Sequence, residues 1–293
     1  MKKTTKKAPS KVDLIKEIKG LKDPIQYIKK RIEDIPLNDR AGELYKVGKK
    51  IANVKIVFEL YQMVVKETNQ SKLDLGTQIM ELALDLPNCP NRLFDELGVI
   101  YTYKKKLEKA LEVYEKAIKL GKLDPMYVTG IIYAAYPLGR QDIIDKYLDF
   151  SLKNTIFLNN PYSLSNVIYV LNRKETKKDS DLALKLIKNY WYKEGRQVIQ
   201  SLYINMTDAY MVADAIDDTL EEIVKEVFEK IDEFHPMIFE NIAWYYLKKD
   251  EINEAIYYLK QAKRLGHPGF QGLKTSKYFK KLWKNPDFLK LFD

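Results

Sequence analysis

The sequence predicts an all-α fold of stacked helical hairpins, and three observations predict it. One spacing occurs twice. Phe94-x-x-Leu97-Gly98-x-x-Tyr101 is followed by Ala110-x-x-x-Tyr114-x-x-Ala117; far downstream, Phe239-x-x-Ile242-Ala243-x-x-Tyr246 is followed by Ala255-x-x-x-Leu259-x-x-Ala262. Prolines recur as if on a clock: Pro90 to Pro125 is 35 residues, Pro125 to Pro161 is 36, and Pro161 to Pro236 is 75. The small or apolar anchors of the second helices, Ala110, Ile143, Ala183 and Ala255, lie 33, 40 and 72 residues apart. Both series give about five units between residues 91 and 266, with Ile223 and Val227 as a degenerate anchor pair in the long interval.

The elements follow in order. Residues 1–9 read as a disordered basic tail ending at Pro9. Residues 10–90 read as divergent helical hairpins. Ser10-x-x-Asp13 is a helix start, residues 11–35 an opening pair, and Val47-Gly48-x-x-Ile51 with Ile79-x-x-Leu82-Ala83 mark one or two further hairpins between 40 and 86. Asp23-Pro24, Asp124-Pro125, Asn160-Pro161 and Asn285-Pro286 each place a capping side chain before a proline. Proline suits the first helical position because the N–H it lacks has no partner there. Pro90 and Pro236 also open helices. The units run 91–123, 124–159, 160–196, 197–235 and 236–266, the fourth and third being the least regular. The polar stretch from Asn172 to Ser180 reads as a long inter-helix loop. Small residues such as Gly98, Ala110, Ala117, Ala243, Ala255 and Ala262 let backbones approach, and Phe94, Tyr101, Tyr114, Phe239 and Tyr246 fill the gaps between helices.

This pattern resembles the tetratricopeptide repeat, a helix–turn–helix unit of about 34 residues. Residues 267–293, with Phe270, Leu273, Phe279, Leu282, Trp283, Phe288 and Phe292, are similar to the capping helices that close bacterial tetratricopeptide proteins. The resemblance implies a right-handed α-solenoid, and implies that the first helix of each unit lines a concave binding face. Carried over, the binding positions are Arg92, Asp95, Val99, Thr102 and Tyr103; Val128, Ile132, Ala135 and Tyr136; and Met237, Glu240, Trp244, Leu247 and Lys248. Tyr103, Tyr136 and Trp244 stand out, because aromatic residues carry much of the energy at interfaces. The Lys and Asn residues with which some members grip a C-terminal carboxylate are absent from the matching positions. That argues against a chaperone-tail clamp and for a more apolar ligand.

Composition narrows the function further. The chain of 293 residues carries a formal charge of +9, unevenly placed. Residues 1–20 carry +5, residues 248–293 carry +6, and residues 208–233 carry −8. Only 7 of the 50 basic residues are Arg, whereas base and phosphate recognition favours the planar Arg fork. Lys104-Lys105-Lys106, Lys280-Lys281 and Lys284 are the clusters a nucleic acid would use, and the acidic segment would repel it. Asp217-Asp218 and Glu221-Glu222 read as solvated, although the acidic segment as a whole is an alternative surface for a basic partner. His235 and His267 lie at no metal-ligand spacing from each other or from Cys89. Gly42 to Gly48 with Lys49 has the wrong spacing and a helical context for a phosphate loop. No cofactor, metal or catalytic residue is expected. A single cysteine allows no intramolecular disulfide, and the basic N-terminus lacks an apolar stretch, so a cytoplasmic location is expected. No apolar run is long enough to cross a membrane. The leading expectation is a non-enzymatic scaffold binding a protein or peptide. An RNA-associated factor and a self-assembling solenoid are the alternatives.

Overall fold

The computed structural model describes residues 16–18, 20–52, 55–59, 62–66, 70–230 and 235–293. The tail at 1–9 and the helix start at Ser10 lie outside them. Contacts divide the chain into two compact units, residues 1–143 and 144–293.

In the first unit, α1 (Pro24–Ile32) and α2 (Leu37–Ala52) lead into a β-hairpin of β1 (Lys55–Glu59) and β2 (Gln62–Lys66). There follow α3 (Gln70–Glu81), α4 (Asn91–Tyr103), α5 (Leu107–Lys119) and α6 (Pro125–Ala135). The β-hairpin corrects the purely helical expectation for 40–86. Its register pairs Ile56 with Val65 and Val57 with Val64, and these β-branched residues favour an extended chain over a helix. The expected hairpin nevertheless forms around it, because α2 packs on α3. The helices cross at Gly48 and Gly76: a Cβ on Gly76 would lie 2.5 Å from the Gly48 carbonyl oxygen. Gly48 is therefore a helix-crossing residue.

The boundary between the units falls within α7 (Gln141–Leu152). The second unit continues with α8 (Thr155–Leu158), α9 (Pro161–Lys174), α10 (Lys177–Trp191), α11 (Gln200–Ala213), α12 (Asp218–Lys230), α13 (Pro236–Lys248) and α14 (Ile252–Arg264). The long loop expected at 172–180 does not exist, since only Glu175 and Thr176 separate α9 from α10. Glu175 turns the chain with φ of 49°, and Thr176 Oγ1 accepts the Asp179 N–H at 3.1 Å to start α10. The wide anchor interval instead holds the extra short helix α8 and the 14-residue α9, and Ala183 sits deeper in α10 than Ile143 does in α7.

The proline starts form as the sequence requires. Asp23 caps Gln26 N at 2.9 Å, Asp124 caps Met126 N at 2.9 Å, and Asn160 caps Tyr162 N at 3.0 Å. His235 Nδ1 accepts the Met237 N–H at 3.3 Å, so one of the two histidines is a helix cap. After α14 the chain turns through 3-10 segments at Phe270–Thr275 and Lys277–Leu282, the short α15 (Pro286–Leu289), and a last 3-10 turn at Lys290–Phe292. This closing segment is thus a run of short helices, mostly of 3-10 type. Phe270, Leu273, Phe279, Leu282, Phe288 and Leu291 are buried, and the segment packs on α13 and α14. It covers apolar surface that the last hairpin would otherwise expose.

Candidate functional site: the first-helix faces

Within each unit the first helices of successive hairpins lie side by side, α4 with α6, α9 with α11, and α11 with α13. Small residues permit this. A Cβ on Gly98 would sit 2.1 Å from Tyr114 Cζ, and one on Gly130 would sit 2.4 Å from the same atom. Tyr114 of α5 thus wedges against both α4 and α6. The anchors Ala110, Ala183 and Ala255 and the pair Ile223 and Val227 are all buried. The fold is a repeat of packed α-helical hairpins.

No protein-family model matches the chain, and no curated protein matches it. Among solved structures, it is similar to a tetratricopeptide repeat protein from Parabacteroides merdae ATCC 43184, at 15% identity and a TM-score of 0.48. That similarity covers 96% of this chain and 98% of the other.

In the first unit, Arg92 and Tyr103 of α4 are exposed, and Asp95 and Tyr136 are half-buried. Val99, Val128 and Ile132 are not on an open surface: each is buried against neighbouring helices, as is Ala135. The least buried stripe of α6 is rotated from the expected one and runs through the half-buried Met126 and Thr129 to the exposed Tyr133. The helix is apolar almost all round, with Val128, Ile131, Ile132, Ala134 and Ala135, so sequence alone could not orient it. Tyr103 is 43% exposed and Tyr133 is 51% exposed, on adjacent helices.

Asp95 is electrostatically unusual. One of its carboxylate oxygens, Oδ1, is buried with no hydrogen-bond partner. Burial pushes its pKa up to about 7, helped by the negative charges of Asp124 and Glu96 and opposed by Arg92. Its neighbour Glu96 is fully engaged, accepting from Tyr45 OH at 2.9 Å and pairing with Lys49. Cys89 is buried and its thiol is pushed up to about 11 by burial, which makes it inert.

In the second unit, Trp244 is only 1% exposed and belongs to the core, which corrects its place as a surface anchor. Leu247 is also buried. Lys248 is half-buried and pairs with Asp214 at 2.8 Å. Glu240 accepts from or pairs with His267 Nε2 at 2.8 Å, which gives the second histidine a structural partner. The exposed face of α9 instead carries Tyr162, Asn166, Tyr169 and Arg173, with the Arg173 guanidinium 5.0 Å from the Tyr169 ring centre.

A row of asparagines joins these helices, and sequence reasoning missed it. Asn172 Nδ2 donates to Asn205 O at 3.1 Å and to Asp208 Oδ2 at 2.8 Å. Asn205 Nδ2 donates to Ser165 O at 2.9 Å, and Asn241 Nδ2 donates to Ile204 O at 3.1 Å. The three positions are 33 and 36 residues apart, the repeat period itself, and that spacing was the available signal.

Asp218, Glu221 and Glu222 of the acidic segment are exposed, as expected, yet the segment is more than a solvated face. Trp191 Nε1 donates to Glu222 at 2.8 Å, and Lys188 pairs with Asp217 at 2.8 Å. Glu226 pairs with Arg196 at 2.6 Å and accepts from Tyr203 OH at 2.6 Å, and Lys249 pairs with Glu221 at 3.2 Å. These acids fasten α12 to its neighbours. Among the lysine clusters, Lys104 pairs with Asp74 and Lys281 with Asp250. Among the described residues, no three of His, Cys, Asp and Glu form a group that could hold a metal ion, and no helix is long and apolar enough to cross a membrane.

Proposed function

We propose that this chain is a non-enzymatic scaffold that binds a protein or peptide along the exposed stripes of its first helices. The observation that carries this reading is the pair Tyr103 and Tyr133, large and exposed on adjacent first helices, while Tyr101, Tyr114 and Tyr127 of the same hairpins are buried. A tyrosine left in water adds little to the stack. Against a partner it offers a rigid apolar face and a hydroxyl at low entropic cost. Arg92 and Asp95 lie on the same helix as Tyr103 and supply polar selectivity. Both histidines have structural partners, His235 in the Met237 N–H and His267 in Glu240, which takes these two side chains out as general bases. The nucleic-acid reading has less support, because Lys104 and Lys281 are already neutralised by acids of this chain.

The test is selection from a displayed random peptide library on the full chain and on its Tyr103→Ala/Tyr133→Ala variant. Peptides enriched by the wild type should bind the variant about tenfold or more weakly, with the thermal midpoint unchanged. Equal binding by both proteins, or no enrichment by the wild type, overturns the proposal.

A further inference from the structure

We infer that the first-helix face of the second unit holds a site for a cationic side chain, an arginine of the bound partner, formed by Asp208 of α11 and Asn172 of α9. The inference rests on the scaffold reading only for where that arginine comes from.

The negative charges of Glu240 and Glu175 reach Asp208 on this face. These two have close partners of their own: Glu240 meets His267 Nε2 at 2.8 Å, and Glu175 pairs with Lys277 at 3.1 Å. The hydrogen bond to Asp208 comes from the neutral Asn172 amide at 2.8 Å, and no ion pair joins Asp208 to a described cation. Burial and its two acidic neighbours make the charge costly, as the raised pKa of its carboxyl records.

Asn172 supplies the second, independent observation. It is only 2% exposed, and both of its amide protons are committed, one to Asp208 and one to Asn205 O. Its Oδ1 is buried and meets no donor. A buried acceptor without a partner is uncommon in a folded protein and calls for an explanation. A charged acceptor and a neutral one on touching side chains define the missing ligand: it is a cation with several donors. A guanidinium offers five N–H groups in one plane and can serve two acceptors that do not share an atom; an ammonium is a single point charge. Asp208 is half-buried, so the site opens to solvent on the Asp208 side.

The probe is N-acetyl-arginine methylamide, titrated into the full chain while NMR follows the Asp208 carboxyl and the Asn172 side-chain amide. Both signals should shift saturably. The citrulline counterpart, which keeps the shape and lacks the charge, should shift neither. Asp208→Asn, nearly isosteric and relieved of a buried charge, should fold with an undiminished thermal midpoint and lose the saturable response. No response to the arginine probe, an equal response to citrulline, or a response that survives in Asp208→Asn overturns the site. Because the probe is a free amino-acid derivative, that failure leaves the Tyr103/Tyr133 reading standing. A failed peptide selection, conversely, leaves this titration decisive for the site.

Discussion

Tyr114 occupies the space where Gly98 would carry a side chain: a Cβ there would come within 2.1 Å of the phenol Cζ. Gly130 meets the same ring from α6, at 2.4 Å. Tyr114 is almost fully buried, so the ring has nowhere to go. Gly98→Ala should therefore destabilise the protein by about 1–3 kcal/mol through overpacking, outweighing the roughly 1 kcal/mol that alanine gains over glycine in a helix. Urea unfolding measures this. Tyr114→Leu should recover part of the loss in the double variant.

Gly48 and Gly76 give a harder version of the same contact. There the collision is with a backbone carbonyl at 2.5 Å, which no rotamer change relieves. Gly76→Ala should cost at least as much as Gly98→Ala in the same urea experiment, about 2 kcal/mol or more.

Asp95 sets a pH dependence. Its folded pKa of about 7 lies above the ordinary carboxylate value of 3.8, so the folded protein holds a proton that the unfolded chain has lost. Its contribution is neutral at acid pH and grows destabilising as pH rises from about 4 through 7. Asp95→Asn should stabilise the protein by about 1–3 kcal/mol at pH 8. The gain should vanish at pH 4. Unfolding curves for wild type and variant at both pH values check the sign.

Glu226 ties α12 to Arg196 and Tyr203 at once. Glu226→Ala leaves both donors without that acceptor, and should cost about 1–3 kcal/mol. Because the pair is largely shielded from solvent, the cost should persist at high salt, unlike that of an exposed ion pair such as Lys153–Asp149.

The helix starts were legible because capping is local chemistry: Asp23, Asp124, Asn160 and Asn285 act within three residues of themselves. The close-packing positions were legible because Gly98 and Ala110 recur at a fixed spacing. What was lost depended on tertiary context. The β1–β2 pair interrupts a repeat and has no counterpart among the other described residues. The stretch from Asn172 to Ser180 is polar enough for a loop, yet Thr176 and Asp179 cap a helix within it. Trp244 sits at a binding position by offset, but is covered by its neighbours. Tyr133 was missed because α6 is apolar on nearly every face, so periodicity could not say which side meets water. The acids of α12 look solvated one by one. Their partners, Trp191, Arg196 and Tyr203, are 23 to 31 residues away.

The central claim is that the first-helix stripes are the binding face. Hydrogen–deuterium exchange tests it most directly, comparing the full chain alone with the chain saturated by a peptide selected on it. The account predicts slowed exchange in α4 and α6 around Tyr103 and Tyr133, with α5 and α14 unchanged. Protection confined to the second helices, or spread evenly over the chain, would contradict it.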